Sequence, residues 1–246
     1  TMERIACLCA TKVIPEGEGV KATLLRERIT RKPMQKILNG NINGIDLTWF
    51  DRTEEVMAKA ADVRGENTDF TFVFIGRMVR DKGINELVEA FERLSQERAD
   101  VRLRLVGRFE DEVDPVPAQT KERIEQSEKI VFEGYQSDVR PYLAASDVLI
   151  LPSYREGFPN VILQAGAMGL PVIVTDINGS DEVVEPGVNG VIIPKKSADA
   201  LYCAMKDMVL DREYTAQMAS VAREMVASRF DQRELWRAMV EMYNSL

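Results

Sequence analysis

The sequence predicts an α/β fold, a Rossmann-like parallel sheet with helices on both faces. From residue 70 onward, short apolar runs alternate with stretches whose apolar residues recur at helical spacing. Most of the short runs stop at glycine or proline, as strands entering tight loops do. Several are apolar throughout, the pattern of strands buried on both faces. This alternation implies βαβ crossovers, and in such sheets ligands bind beyond the carboxyl ends of the strands.

Residues 1–50 fit the alternation least well. Arg4-Ile-Ala-Cys-Leu-Cys9 reads as a strand, Val20 to Ile29 as a helix and Gln35 to Leu38 as a second strand. Asn39-Gly-Asn-Ile-Asn-Gly44 then has the composition of a loop. One βαβ piece buries no core by itself. The segment therefore reads as the remnant of a second domain, joined by a glycine- and asparagine-rich linker.

The regular part opens with Asp69-Phe-Thr-Phe-Val-Phe-Ile-Gly76, a strand stopped by glycine. Phe70, Phe72 and Phe74 are expected in the core or on a sheet face. Ile84 to Gln96 carries apolar residues at Ile84, Leu87, Val88, Phe91 and Leu94, which is helical spacing. Val101-Arg-Leu-Arg-Leu-Val-Gly107 and Lys129-Ile-Val-Phe-Glu-Gly134 are further strands. A short helix from Asp138 to Ala145 and a continuously apolar strand, Asp147-Val-Leu-Ile-Leu-Pro152, follow. A helix from about Pro159 to Met168 leads to strands Pro171 to Thr175 and Gly190 to Pro194. Helices near 197–210, 212–228 and 231–244 close the chain, their methionines serving packing.

Composition narrows the function. The chain has 246 residues, 45% hydrophobic and 29% charged, the balance of a globular protein. A net charge of −8 argues against a broad nucleic-acid surface, which needs clustered cations. Cys7, Cys9 and Cys203 show no CxxC spacing, so a disulfide framework or zinc site is not expected. The chain contains no histidine, which removes the Ser-His-Asp and Cys-His arrangements together. No stretch approaches the roughly 18 to 20 apolar residues of a membrane span, and no secretory leader is evident. A soluble, cytoplasmic protein is expected.

Three clusters fall on the expected ligand edge. In Gly76-Arg-Met-Val-Arg-Asp-Lys-Gly83, Arg77 lies just past a strand and Lys82 just before a helix. Both can converge on an anion facing the helix N-terminus, although a solvated loop with a capping Asp81 accounts for the segment equally well. In Ser153-Tyr-Arg-Glu-Gly-Phe-Pro-Asn-Val-Ile-Leu-Gln164, Glu156 precedes a helix that contains Gln164. Gly157 permits close backbone approach and Pro159 suits the first helical turn. The acceptors of Glu156 and Gln164 suit sugar and ribose hydroxyls better than the alternative, in which Glu156 caps the helix and Gln164 is an ordinary helical residue. In Gly134-Tyr-Gln-Ser-Asp138, backbone groups and Tyr135 can border a base, and a simple turn capped by Asp138 explains the segment nearly as well.

The ordered set is more specific than any member. Gly-Arg-Met-Val-Arg-Asp-Lys-Gly, Phe-Glu-Gly-Tyr, Ala-Ser-Asp-Val-Leu-Ile-Leu-Pro-Ser-Tyr-Arg-Glu-Gly-Phe-Pro-Asn-Val and Ala-Met-Gly-Leu-Pro-Val-Ile-Val-Thr-Asp occur in that order. Over residues 35–244 it resembles the GT4-type glycosyltransferases, retaining enzymes with two facing Rossmann-like domains, the GT-B architecture. It looks most similar to bacterial enzymes of capsule, exopolysaccharide or lipopolysaccharide assembly. The resemblance implies a remnant of the N-terminal domain plus linker at 1–46. It also implies a nucleotide-sugar-binding domain at 47–230 and a crossover helix at 231–246.

The resemblance assigns Arg77 and Lys82 to the donor diphosphate, stabilising the leaving nucleotide so that no metal or other cofactor is needed. Glu156 would hold donor-sugar hydroxyls. The amides of Gly157, Phe158, Pro159, Asn160 and Val161 would approach sugar and phosphates. Loops at Gly76 and at Gly134 and Tyr135 would border the nucleotide, and Gln164 the ribose. The partners implied are a nucleotide-sugar donor, a saccharide or lipid-linked acceptor and a missing N-terminal domain, with peripheral membrane association of the intact enzyme. Two departures stand out. The family's second glutamate, eight positions after the first, is Gln164 here. By the same resemblance, the acceptor-side domain with its histidine would be missing, which would leave the cleft with one wall. A catalytically silent nucleotide-sugar-binding module needing a partner chain is the alternative. A sugar-nucleotide epimerase of the same architecture is disfavoured, because it would need its own acid/base groups in a full pair of domains.

Overall fold

In the computed structural model, which describes residues 2–246, eleven helices and six strands follow one another. Two helices, α1 (Met2–Cys9) and α2 (Glu18–Arg26), precede a turn-rich linker. The main body runs α3 (Glu54–Arg64), β1 (Phe70–Ile75), α4 (Ile84–Glu97), β2 (Val101–Val106), α5 (Ala118–Gln126), β3 (Ile130–Gly134), α6 (Arg140–Ala144) and β4 (Val148–Leu151). It continues through α7 (Asn160–Ala167), β5 (Val172–Thr175), α8 (Ser180–Val183), β6 (Gly190–Ile193), α9 (Ala198–Leu210), α10 (Arg212–Phe230) and α11 (Gln232–Asn244).

The strands form one parallel sheet in the order β3-β2-β1-β4-β5-β6. The chain steps outward from β1 to β3, then returns to lay β4 beside β1. That reversal opens a crevice past the carboxyl ends of β1 and β4, the position where open α/β sheets bind ligands. Each crossover returns through helices that cover the sheet: α4 packs on α9, α3 on α6 and α7 on α10. Phe72, Phe74, Leu103, Leu105, Leu149 and Ile150 are fully buried between these layers, with Ile84, Leu87, Phe91 and Leu94 of α4. All three β1 phenylalanines are core residues, as the sequence implies, and so are Met205, Met208 and Met218.

The N-terminal segment departs from expectation. Arg4 to Cys9 is helical, part of α1, and not a strand. Met2, Ile5 and Leu8 repeat at a helical interval and remain exposed. No neighbouring strand offers a ladder there, so the helix, which satisfies its own backbone groups, is favoured. Gln35 to Leu38 is likewise not a strand: an isolated bridge joins Val13 to Met34, and Leu38 takes φ +48°, which ends extended structure. The loop at Asn39 to Gly44 is present. Its Asn41 is 1% exposed and left-handed, φ +57°, and its side-chain oxygen accepts from the Asn43 and Gly44 amides.

Helices α3, α5 and α8 escape a periodicity reading. α3 buries only Val56 and Ala60, and α5 only Thr120 and Ile124, so neither carries an apolar stripe. α8 is a single turn.

Candidate functional site

The loop after β1 is anchored before it reaches the crevice. Met78 and Val79 are buried, and Met78 N donates to the Arg108 carbonyl at 2.8 Å. Arg80 N and Asp81 N donate to the Asp114 carbonyl and carboxylate at 3.0 and 2.8 Å. A 3-10 turn, Arg80–Lys82, then delivers Lys82 to the head of α4. Gly83 makes that junction with φ +71°, and a Cβ there would run into the Pro152 carbonyl. The loops after β1 and β4 therefore touch backbone to backbone.

Side chains complete the weld. Tyr154 N donates to the Asp81 carbonyl at 2.8 Å, and Arg155 Nε to Asp81 Oδ2 at 3.1 Å. The Tyr154 hydroxyl donates to both oxygens of Glu86, at 2.6 and 2.8 Å. Burial, then that carboxylate, pushes its pKa up. Lys82 Nζ donates to Glu156 Oε1, and the two side chains are only 16% and 17% exposed. The sequence assigns these residues to different parts of a donor; the fold pairs them directly.

Arg77 faces the other way. Its Nη1 donates to Glu110 Oε2 at 2.9 Å while the side chain stays 53% exposed. That hydrogen bond is the main cause holding its guanidinium pKa above the ordinary value. Arg77 borders two cavities. One, of about 590 Å³, also carries Lys82, Glu156 and Gly157 on its walls. The other, of about 390 Å³, lies over Gly76 and Gly107 and is bordered by Glu110, Tyr135 and Gln136. A Cβ on Gly107 would strike the Gly76 carbonyl, so the strand ends beneath this slot stay close.

The larger cavity does not have a single wall. Glu3 of α1 and Val20, Thr23 and Leu24 of α2 line it opposite Lys82 and Glu156. The short N-terminal segment therefore supplies a second face, contrary to the expectation of an open cleft. It is held there by the Asn41 amide, which donates to the Glu16 carbonyl at 2.7 Å, and by Lys36 paired with Glu182 at 2.9 Å.

The remaining sequence-derived residues differ in what they offer. Tyr135 is 70% exposed at the rim of the smaller cavity. Gly134, φ +67°, stands behind it, its carbonyl accepting from Gly107 N at 2.8 Å. Phe158 is 7% exposed and sits edge-on to Phe230 at 5.8 Å, a core role that leaves its backbone for contacts. Pro159 is the N-cap of α7 and lacks an amide N–H, so the expected run of donors from Gly157 to Val161 has a gap there. Asn160 is tied to the linker, accepting from Asn41 Nδ2, and Val161 packs against the core. Gln164 is half-buried and is not among the residues lining either cavity.

Two acidic residues near the site carry no sequence motif. Glu110 lies three residues past Gly107, beyond the carboxyl end of β2. Glu16 places a carboxylate oxygen 3.3 Å from the Cβ position of Gly157, a proximity that no local pattern announces. Among the described residues, no group of three or more His, Cys, Asp or Glu is arranged to hold a metal. No helix among them is long and apolar enough to cross a membrane.

Comparison with known proteins gives a consistent picture. Residues 69–211 match the family model described as Glycosyl transferases group 1. The chain is 28% identical over 249 aligned residues to a capsular polysaccharide biosynthesis glycosyltransferase, CapM, of Staphylococcus aureus, covering 99% of this chain and 64% of that protein. It is 32% identical over 205 residues to TuaC of Bacillus subtilis, described as a putative teichuronic acid biosynthesis glycosyltransferase, covering 82% and 49% respectively. The chain thus spans roughly half to two thirds of the length of these relatives. Among solved structures, Anabaena HepE in complex with UDP and glucose superposes with a TM-score of 0.86 at 24% identity, over 98% of this chain and 65% of that one. At that identity the likeness is one of fold.

Proposed function

Because this chain belongs to the group 1 glycosyl transferases, we propose that it forms the nucleotide-sugar-binding side of a retaining hexosyltransferase acting in polysaccharide biosynthesis. One observation carries the reading: Arg77, Lys82 and Glu156 border a single cavity at the β1/β4 reversal of the sheet. Two cations and a carboxylate suit the two ends of a nucleotide sugar, a diphosphate and a hydroxylated ring. The slot over Gly76 and Gly107 adjoins them through Arg77 and has room for the nucleoside. HepE, of the same fold, was solved with UDP and glucose, which supports this class of donor.

In this reading the donor diphosphate lies against Arg77 and Lys82. As the bond from the anomeric carbon to the phosphate oxygen breaks, negative charge grows on the leaving nucleotide. Fixed cations in a partly enclosed site stabilise it more than mobile water does, without a metal. Glu156 holds sugar hydroxyls while its bond with Lys82 keeps that ammonium oriented. The acceptor hydroxyl, from a saccharide or lipid-linked saccharide, attacks on the face the nucleotide leaves and passes its proton to the departing phosphate oxygen, so configuration is retained. The acceptor side is completed by an N-terminal domain of the kind that the extra length of the relatives accommodates. The intact enzyme works in the cytoplasm and meets lipid-linked acceptors at the membrane surface.

Thermal-shift screening against UDP-, GDP- and ADP-sugars tests the reading. A ligand that binds only the folded chain raises its melting temperature, through a stabilisation that grows with the logarithm of one plus its concentration over Kd. One of the three should do so, and the corresponding free sugar should not. No shift with any of them at millimolar concentration would remove the donor-site assignment.

A further inference from the structure

Glu110 is absent from the motifs that mark this chain, yet it lines the smaller cavity and pairs with Arg77, which borders both. Its side chain is 18% exposed, Oε2 accepting from Arg77 at 2.9 Å and Oε1 lying 3.5 Å from Arg108 Nε. Arg77 therefore reaches the crevice already bonded to a carboxylate from the wall of the neighbouring slot. We propose that Glu110 competes with the nucleoside diphosphate for Arg77, and so sets how weakly the spent nucleotide is held. This rests on the donor-site reading above.

The competition follows from charge and from the rigidity of the loops. A phosphate approaching Arg77 either displaces Glu110 or shares the guanidinium with it. Displacement breaks a hydrogen-bonded ion pair, and sharing brings two anions close together. Both oppose the diphosphate and leave an uncharged nucleoside largely unaffected, since the slot beneath it is walled by Ile75, Val106 and Val139. Glu110 cannot simply drift away, because its loop is held by the Met78–Arg108 and Arg80–Asp114 backbone bonds at 2.8 and 3.0 Å. Arg108 gives Glu110 a second cation, so releasing Arg77 does not strand the carboxylate. The guanidinium keeps its charge throughout, so the device works by partner exchange and not by proton loss. Lys82 has no such freedom of exchange on the slot side, its partner being Glu156. A product held less tightly leaves sooner, and product release limits many enzymes.

Titration calorimetry on wild type, Glu110→Gln, Arg77→Ala and the double variant decides the point, with UDP, GDP and ADP as probes. The matching nucleosides are followed by NMR shift titration. Glu110→Gln should bind the preferred diphosphate about two- to five-fold tighter, the range expected for a half-exposed pair. Nucleoside affinity should not change, and the gain should vanish when Arg77 is Ala. Glu110→Ser, which removes the charge and the reach together, should give the same gain. Unchanged or weaker diphosphate binding, an equal gain for the nucleoside, or a gain that survives without Arg77 overturns the proposal. If wild type binds none of the three diphosphates, the donor-site reading fails and takes this proposal with it. If wild type binds and Glu110→Gln gains nothing, only this proposal fails.

Discussion

Lys82 Nζ donates to Glu156 Oε1 across the junction of the β1 and β4 loops, and both side chains are largely shielded from water. Removing one member of such a pair leaves a charge that neither solvent nor a partner neutralises, and that is where the cost lies. Lys82→Met should destabilise the chain by about 1–3 kcal/mol, less than a fully buried pair because some exposure remains. The double variant Lys82→Met/Glu156→Gln should recover much of that loss. Urea denaturation of the four proteins closes the cycle, and a double variant no more stable than Lys82→Met would show that the pair is not coupled. Lys82→Met should also weaken diphosphate binding far more than nucleoside binding.

Gly83 ties that pair to the backbone. Its left-handed φ of +71° and the Pro152 carbonyl leave no place for a Cβ. Gly83→Ala should cost at least about 2 kcal/mol, the sum of strain and displacement. Because the displaced element carries Lys82 on one side and leads to Glu156 on the other, nucleotide affinity should fall as well. A melting curve superimposable on wild type would refute the close approach.

Arg140 is 9% exposed and donates to Asp138 Oδ1 and Oδ2 at 2.8 and 2.7 Å, and to the Trp49 carbonyl at 3.0 Å. It also stacks on the Trp49 ring, 3.5 Å from its centroid, clamping the linker exit to α6. Arg140 holds the Asp138 carboxyl below its ordinary pKa. A depressed folded value means the pair contributes its stability above the unfolded carboxyl pKa and loses it as pH falls through the folded one. Asp138→Asn should therefore cost about 1–2 kcal/mol at pH 7, and the gap to wild type should narrow only below about pH 4. A gap independent of pH down to acid unfolding would mean the carboxylate charge does not matter there.

Gln164 offers an amide at a half-buried position on α7. Gln164→Glu should tighten nucleoside diphosphate binding about five-fold, because a carboxylate accepts ribose hydroxyls more strongly than an amide does. Calorimetry on the two proteins checks it. Unchanged affinity would place Gln164 outside the ribose contacts.

The sequence by itself determined the sheet. Short apolar runs, most of them closed by glycine or proline and alternating with helical stretches, read as buried parallel strands, and each of the six is legible with bounds close to those observed. It also marked Arg77, Lys82 and Glu156, because loops at strand ends must face one edge of such a sheet. Where burial was too slight to leave a pattern, as in α3 and α5, the signal was missing. In Arg4 to Cys9 the apolar spacing fitted two structures, and only the lack of a partnering strand selected the helix.

Tertiary structure alone decided which loops meet. Residues 82 and 156 become partners because strand order reverses between β1 and β4, a relation that exists between elements and in no local segment. The same holds for Arg77 with Glu110, and for α2 facing Glu156 across the larger cavity. Local spacing reports which face a residue turns to, since helices and strands have fixed periods. It carries no information about what stands opposite, because that depends on how separate elements pack together, and packing is set by the whole core at once.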